Sequence, residues 1–355
     1  MDSLKLSSRQ SRRGFLKNTI IAGTLSYLEY NGLFPRPRPK ERTRKSPDIF
    51  YKYKTMSVSH FKELQEDIDR LRNKGKLSRH KIFRSYIDEL KFEIPDNFPD
   101  AKSIIIISKF TRLMYVNFHL NGKTHEVMIP PQYYSDGISS EDLTKIIHKE
   151  IIKKPGHRVE RADKLHLKLL AVRSGLGKYG RNNLCFVDGM GNFITLVAFF
   201  TDFEFEEDHW HELALLDACR NCVICYGICP TNCITKENFV IDVGRCITLF
   251  NEVKGKFPRW ILPSMHNALV GCMKCQLRCP ENEGIAGFSG RLEDITEEET
   301  LKILRGKPDE GLLNSLSRKL LKFVPASSKE YFPIFTRNLR ALIRPGLSII
   351  KKLDF

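Results

Sequence analysis

The order of apolar and polar residues predicts a chain in which helices flank a central region rich in strands. Runs of β-branched and other apolar residues predict strands at 103–108, 113–120, 125–129 and 193–201. Asn121 and Gly122 join the second and third of these strands, and both residue types tolerate the positive φ angles of a tight hairpin. The run at 193–201 is the longest, so it is expected to be a central strand.

Helices are predicted where apolar side chains recur every three or four residues. The predicted helices cover 60–73, 141–152, 163–174, 296–305, 312–323, 331–343 and 347–353. Gly175 is expected to end the third in a left-handed cap, and Thr296 with Glu299 forms a capping box for the fourth. Strands and helices alternate between about 100 and 205, which predicts an α+β unit with a mixed sheet.

Length and charge restrict the class of protein. A chain of 355 residues exceeds one typical domain, which excludes a small disulfide-stapled scaffold. Its net charge is +16, but thirteen basic and only four acidic residues lie in the first 54 positions. The rest of the chain carries +7, which is too little to indicate a dedicated nucleic-acid binder from charge alone.

The basic head resembles a twin-arginine export signal. Arg12 and Arg13 precede Phe-Leu-Lys at 15–17, and a mostly apolar stretch follows at 18–28 without an A-x-A-like cleavage site. We therefore expect an exported protein that stays associated with the membrane through an uncleaved signal. The alternative is a basic, disordered tail on a cytoplasmic protein, in which the motif arose by chance.

The spacing of the cysteines predicts two iron–sulfur clusters. One motif has the ferredoxin spacing C-x₂-C-x₂-C-x₃-C-P, and a truncated copy further on has the spacing C-x₂-C-x₃-C-P. The first motif comprises Cys219, Cys222, Cys225 and Cys229, and the second comprises Cys272, Cys275 and Cys279. Cys246 lies between the motifs and can supply the eighth ligand.

In the ferredoxin pattern, the fourth cysteine of a motif ligates the other cluster. The first [4Fe–4S] cluster is thus predicted on Cys219, Cys222, Cys225 and Cys279, and the second on Cys229, Cys246, Cys272 and Cys275. Zinc ribbons and disulfides fit this spacing poorly, because zinc sites pair CxxC units across a long spacer. Cys185 and Cys233 are left over and are expected to be buried free thiols.

Three segments together resemble the double-cluster module of epoxyqueuosine reductases and of corrinoid reductive dehalogenases. They are C-R-N-C-V-I-C-Y-G-I-C-P-T-N-C-I at 219–234, R-C-I at 245–247 and G-C-M-K-C-Q-L-R-C-P-E-N at 271–282. The resemblance covers about 85–345. It implies a nitroreductase-like sheet domain that holds a cobalamin beside the first cluster, with the second cluster relaying electrons from a soluble donor.

The same resemblance suggests cofactor-binding and catalytic residues. The turn G-L-G-K-Y-G-R-N-N at 175–183 lies where both families carry a glycine-rich turn, so Gly175, Gly177, Lys178 and Gly180 are candidates for contact with the cofactor. An ordinary helix-to-strand turn explains these glycines about equally well.

Three further residues are catalytic candidates. The proton-donating T-D-S-A-P stretch of the reductases has no clean match here, so Glu160 and Asp163 are candidate proton donors, although either acid could simply start a helix. Arg181 is the third candidate, by comparison with the dehalogenases. Candidates for the dehalogenase tyrosine are Tyr115, Tyr133, Tyr134 and Tyr179.

These features predict five segments. They are a signal and anchor at 1–34, a basic proline-rich linker at 35–54, a sheet domain at 55–208, a bacterial-ferredoxin-like double-cluster module at 209–285 and a C-terminal helical segment at 286–355.

The predicted function is an iron–sulfur oxidoreductase that passes single electrons through two [4Fe–4S] clusters to a reaction centre, expected to be cobalamin, for reductive chemistry on a small molecule. The expected electron donor is ferredoxin-like, flavodoxin-like or membrane-bound. One alternative is reduction of epoxyqueuosine in tRNA, a partner ranked lower because an exported protein would not meet tRNA. A second alternative is a non-catalytic, membrane-associated electron-transfer protein.

Overall fold

The computed structural model describes residues 50–237 and 239–343. The predicted signal at 1–34, most of the predicted linker and the helical turns predicted at 347–353 lie outside these residues. The strands are β1 (Tyr51–Ser57), β2 (Ser103–Phe110), β3 (Met114–Leu120), β4 (Lys123–Ile129), β5 (Val159–Arg161), β6 (Lys178–Tyr179), β7 (Cys185–Phe186), β8 (Ile194–Thr201) and β9 (Gly290–Arg291).

The main sheet has the strand order β1-β2-β8-β5, and every neighbouring pair in it is antiparallel. A mixed sheet was expected in this region, and the structure corrects that expectation. Parallel pairing occurs instead in a second sheet, β4-β3-β9, where the chain returns after the cysteine motifs to lie beside β3. The α+β class is confirmed, with strands and helices that do not form parallel βαβ units.

Helices account for the rest of the regular structure. They are α1 (Phe61–Asn73), α2 (Lys81–Asp88), α3 (Ser140–Ile146), α4 (Leu167–Arg173), α5 (Ile224–Gly227), α6 (Ile247–Glu252), α7 (Lys274–Leu277), α8 (Glu297–Arg305), α9 (Glu310–Lys319), α10 (Val324–Ser327) and α11 (Phe332–Ile343). A π-helical turn, Ile147–Ile152, continues α3.

Helices cover both faces of β2, which explains its unbroken apolar run. Ile104 and Ile106 pack in the core that α1, α2 and α4 share, whereas Ile105 and Ile107 pack on the opposite face against α3 and its extension. A strand buried on both faces has no solvent side on which polar residues would alternate. The unbroken apolar run at 103–108 therefore indicates a central strand that is buried on both faces.

Helix α4 begins at Leu167, four residues later than predicted. Val159–Arg161 pairs with β8 as an edge strand, and a turn at 163–164 separates this strand from the helix. His166 then caps the helix, since its Nδ1 accepts a hydrogen bond from the backbone N–H of Leu169 at 3.1 Å. The helix ends as predicted, with Gly175 at φ +71°.

The β3–β4 hairpin packs on the C-terminal helices. Its turn has the predicted positive φ angles, 52° at Asn121 and 69° at Gly122. Phe118 of β3 is fully buried in one core with Phe335 of α11, and the capping box of Thr296 and Glu299 starts α8 as predicted. This core spans the predicted boundary between the sheet domain and the C-terminal segment.

The cysteine-containing segment at 209–285 has little regular structure beyond α5, α6, α7 and single 3₁₀ turns. It is anchored to the main core through buried side chains that include Cys229, Ile234 and Leu249. Within the described part of the chain, no helix is long and apolar enough to cross a membrane.

A buried ion pair connects α1 to α4. The carboxylate of Asp67 accepts two hydrogen bonds from the Arg173 guanidinium, at 2.7 and 2.8 Å, and both side chains are almost fully buried. Arg173 also donates to the carbonyl of His211 at 3.0 Å, so it joins the helices to the start of the cysteine segment. Removing one partner of such a pair leaves an uncompensated charge in the interior.

We therefore expect Arg173→Met to lower the free energy of unfolding by about 3–5 kcal/mol. Urea unfolding of the anaerobically purified protein would measure the change. Arg72→Met is the control, because Arg72 forms an exposed pair with Asp69 on the same helix, and its loss should cost at most about 1 kcal/mol. Equal costs for the two variants would contradict the importance of the buried pair.

Candidate metal centre and adjoining cavity

A cavity lies between the main core and the cysteine-containing segment. The space between its walls is about 1460 Å³, a volume that includes open solvent. One wall is apolar and comes from α1 and α2, including Ile68, Phe83 and Ile87. The cysteine-containing segment contributes Val243 and Cys272 to the lining.

Polar groups on the cavity wall are held by buried partners. The Tyr133 hydroxyl donates a hydrogen bond to Glu252 Oε1 at 2.6 Å, and burial raises the pKa of Glu252 well above its usual value. Lys168 Nζ donates to Asn183 Oδ1 at 2.8 Å and to the Asn183 carbonyl at 3.2 Å. These contacts fix a phenol and an amine at the cavity boundary.

Lys168 is a functional candidate that the sequence analysis missed. Burial lowers its pKa to about 7, because the charged amine loses its hydration, while negative charge on Cys185 and Cys246 would act in the opposite direction. A group with such a pKa can release a proton near neutral pH. The sequence did contain a signal for this residue. Positions 165, 168, 169 and 172 of the predicted helix share one face, and Lys168 is the one charged residue on that otherwise apolar face.

The first predicted set of cysteines converges in space. Burial, with added effects from the nearby thiols of Cys219, Cys225 and Cys222, raises the pKa of Cys279 to about 12. Burial likewise raises the pKa of Cys225 to about 11, with added effects from Cys219 and Cys222. The last cysteine of the second motif therefore lies beside three cysteines of the first motif.

The second predicted set is brought together in the same crossed manner. Burial raises the pKa of Cys272 to about 12, and the thiols of Cys246 and Cys229 add to the effect. Cys275 lies in α7 beside Cys272, and its Sγ accepts a hydrogen bond from Asn182 Nδ2 at 3.5 Å. The last cysteine of the first motif thus lies with the cysteines of the second.

The two sets differ in exposure. Cys222, Cys225 and Cys279 of the first set are partly exposed, whereas all four cysteines of the second set are buried. Cys272 of the second set also lines the cavity, and none of the first set does. This is the reverse of the expected order, in which the first cluster lay beside the cofactor and the second met the donor.

The cysteine sets suit a cluster better than a single ion. Among the described residues, no three His, Cys, Asp or Glu side chains are close enough together to bind one metal ion. A cubane binds one thiolate at each of four corners, so its ligands stand further apart. Four buried thiols also cannot ionise side by side without a cationic metal core, and hydrogen bonds such as that from Asn182 to Cys275 are typical around cluster sulfurs.

Arg181 forms hydrogen bonds with the backbone of the first motif. Its buried guanidinium donates to the carbonyls of Cys219, Cys222, Arg220 and Lys236, with Nε 2.9 Å from the Cys222 oxygen. All of these acceptors are backbone groups of the cysteine segment, and Arg181 is not part of the cavity lining. These contacts order the loop of the first motif, and the catalytic role suggested for Arg181 by the resemblance stays a prediction.

The glycine-rich turn packs against the protein instead of the cavity. A Cβ atom on Gly175 would lie 2.6 Å from the His211 ring, and one on Gly177 would lie 2.6 Å from Cys185 Sγ. A Cβ on Gly180 would meet the Phe186 ring at 2.4 Å. Lys178 is half-exposed and forms an ion pair with Asp217 at 2.7 Å. None of these four residues lines the cavity, although their neighbour Tyr179 does.

The two acids suggested as proton donors lie at the edge of the main sheet. Glu160, on β5, accepts hydrogen bonds from Asn97 Nδ2 at 2.6 Å and from Arg158. Asp163, just after β5, accepts from Arg161 Nε at 2.7 Å. Neither acid lines the cavity, whereas Lys168, the second residue of α4, does.

Comparison with known proteins supports the cluster prediction. Residues 218–282 match a family described as a 4Fe-4S double cluster binding domain. Epoxyqueuosine reductase of Staphylococcus aureus is 34% identical over 118 residues, which are 33% of this chain and 30% of the relative. That of Escherichia coli is 36% identical over 114 residues, or 32% and 29% of the two chains. The matches thus span about three-tenths of these curated relatives.

Solved structures resemble a larger part of the chain. The epoxyqueuosine reductase of Streptococcus thermophilus superimposes with a TM-score of 0.57 over 84% of this chain and 80% of that one, at 18% identity. An epoxyqueuosine reductase solved with a tRNA-Tyr epoxyqueuosine-modified stem loop gives 0.55 over 82% and 76%, also at 18% identity. At this identity the likeness shows a shared fold.

The fold and the cysteine sets define a double iron–sulfur cluster protein. Within this class, the chain resembles epoxyqueuosine reductases in its cysteine-containing segment and in its fold, in keeping with the resemblance of its sequence motifs. The two predicted [4Fe–4S] clusters are supported by the matched domain.

The prediction of export by the twin-arginine route, with membrane association, is wrong. The relatives that the chain matches are epoxyqueuosine reductases, and one solved neighbour is a complex with a tRNA stem loop. The twin-arginine motif at 12–17 is therefore present without an export function. It lies outside the residues that the structure describes. The low rank given to tRNA depended on export, so the comparisons also reverse that ranking and leave the membrane-bound donor without support.

We expect Arg181→Ala to disturb the first cluster selectively. Its loss leaves carbonyls of the first motif without donors, so the iron content of the protein should fall from about eight to about four atoms per chain. Iron and sulfide analysis after anaerobic purification would measure this. Arg220→Ala is the control because Arg220 is exposed and pairs with Asp217. Full iron content in Arg181→Ala would show that the guanidinium is dispensable.

Proposed function

We propose that the chain is an epoxyqueuosine reductase, which reduces the modified nucleoside in tRNA with electrons carried by two [4Fe–4S] clusters. The observation that carries the proposal is the convergence of two crossed cysteine sets beside a cavity. The similarity to epoxyqueuosine reductases in sequence and in fold supports it. A tRNA substrate would place the protein in the cytoplasm, the alternative left open by the sequence.

The first cluster is assigned to the partly exposed set, and the second to the buried set. Cys219, Cys222, Cys225 and Cys279 would hold the first, and Cys229, Cys246, Cys272 and Cys275 the second. A soluble donor such as a ferredoxin or flavodoxin would then meet the exposed cluster. The buried cluster would pass the electron on, since Cys272 lies in the cavity wall.

The chemistry of the substrate sets what the site must supply. Opening an epoxide and releasing its oxygen as water, so that a carbon–carbon double bond remains, takes two electrons and two protons. Iron–sulfur clusters transfer electrons singly, so two transfers are needed for each turnover. The protein must also deliver protons at the cavity, where hydration by bulk water is limited.

We include an organic cofactor such as cobalamin in the proposal. The support is the apolar wall of the cavity and its contact with Cys272. Tyr179, whose ring stacks on Phe239 at 4.3 Å, and Gln132 are lining residues that could hold such a group. A bound cobalamin would supply a cobalt centre that accepts single electrons and reduces the substrate.

Lys168 would serve as a proton donor to the substrate. It lines the cavity, and its amine is held by Asn183. Glu160 and Asp163, the donors suggested by sequence, form ion pairs on the protein edge. The amine is therefore better placed than either carboxylate to protonate a group bound in the cavity.

The first test of the function uses a defined substrate. Anaerobically purified protein with about eight irons per chain, reduced by dithionite, should convert an epoxyqueuosine-containing tRNA stem loop to its queuosine form, detected by mass spectrometry of the nucleosides. Cys279→Ala should lose the first cluster and the activity, whereas Cys185→Ala, which alters a non-ligand cysteine, should keep about eight irons. Absence of conversion by fully loaded protein, with cobalamin added, would refute the proposal.

The second test concerns Lys168. Lys168→Met should slow reduction on the order of 10²–10⁴-fold without loss of iron, because the side chain keeps its length but cannot donate a proton. For the native protein, the rate should fall as the pH rises above about 7, since an acid with a lowered pKa loses its proton there. Lys168→Arg keeps the charge but cannot release a proton, so it should be slowed about as much as Lys168→Met. A native rate independent of pH would contradict the assignment.

A further inference from the structure

Cys233 lies against the second cysteine set although it belongs to neither motif. Its side chain is fully buried, and its Sγ is 3.4 Å from the Sγ of Cys229. Its backbone N–H also donates to Cys229 Sγ at 3.2 Å. The residue therefore approaches one sulfur through two different groups.

A second cysteine of the same set lies on the other side of Cys233. The Cys233 thiol is within hydrogen-bonding reach of Cys246 as well as of Cys229. The backbone holds it there, since its carbonyl accepts a hydrogen bond from the N–H of Asp242 at 2.8 Å. Cys233 thus bridges two sulfurs that are far apart in sequence and are both assigned to the second cluster.

The geometry fits a hydrogen-bond donor better than a fifth ligand. The second set already offers four thiols, one for each iron of a cubane. A sulfur 3.4 Å from Cys229 Sγ is at the distance of an S–H···S contact. Because thiolate charge is disfavoured in an apolar interior, a buried cysteine that binds no metal keeps its proton and can donate it.

We propose that Cys233 is a positioning residue whose single thiol proton lies between Cys229 and Cys246, beside its backbone N–H donation to Cys229, and thereby raises the reduction potential of the second cluster. The proposal rests on the ligand assignment made above. It assigns a role to a cysteine that the cluster spacing leaves unused.

The direction of the effect follows from charge. Adding one electron to a cluster increases the negative charge on its thiolates, so a donor hydrogen bond stabilises the reduced form more than the oxidised form. Thr231 Oγ1, 3.5 Å from Cys229 Sγ, is in reach of the same sulfur. A higher potential at the buried cluster would draw electrons from the exposed cluster towards the cavity.

A potentiometric titration of the full chain, followed by electron paramagnetic resonance, would test the proposal. Dithionite would serve as reductant, and iron would be counted in each sample. Cys233→Ala should keep about eight irons and lower the midpoint of one cluster signal, by about 59 mV if reduction becomes tenfold weaker. Cys233→Ser keeps a hydroxyl donor, so its midpoint potential should stay close to the native value. Cys185→Ala, which alters the other buried spare cysteine, should leave both midpoints unchanged.

The outcomes separate this proposal from the ligand assignment. Native protein with fewer than about eight irons after reconstitution would refute the assignment of two clusters. Loss of about four irons in Cys233→Ala would show that Cys233 is a ligand, and would overturn the proposal. Full iron with an unchanged midpoint, or equal shifts in the alanine and serine variants, would also overturn it.

Discussion

The convergence of thiol groups from two crossed motifs is the constraint on which the rest of this structure depends. Cys279 leaves its own motif to join the first set, and Cys229 leaves its motif to join the second. Neither loop can reach its final conformation alone, because each completes the other. The segment therefore needs support from outside, and Arg181 and Asn182 of the glycine-rich turn provide it through hydrogen bonds.

This dependence explains the use of the glycine-rich turn. The turn brings Arg181 beneath the first motif and Asn182 beside Cys275, and close packing on Phe186 and His211 leaves no space for Cβ atoms at Gly180 and Gly175. A family resemblance indicated that small residues were needed there. The need arises from contact between two parts of the protein, and the cavity is lined instead by Tyr179 and residues beyond the turn.

Features that depend on local chemistry could be predicted from the sequence. The hairpin at Asn121, the capping box at Thr296 and the cluster spacing each lie within a few residues of chain, so their physical causes are visible there. The cavity and the burial of Lys168 depend on packing between distant segments, and no local pattern encodes that. The prediction of export failed for a related reason. A short motif near the N-terminus carries no information about the folded body that follows it.

Buried positive charge links the fold to the clusters. Burial raises the pKa values of Cys272 and Cys219, and two buried cations, Lys274 and Arg181 respectively, oppose that rise. Interior cations cost free energy unless negative charge lies nearby, and thiolates bound to a cluster supply it. The same cations favour ionisation of the thiols that must bind iron. The net charge of the whole chain does not reveal this arrangement. It is equally uninformative about binding of tRNA, because recognition of a nucleic acid depends on where charge lies and not on its sum.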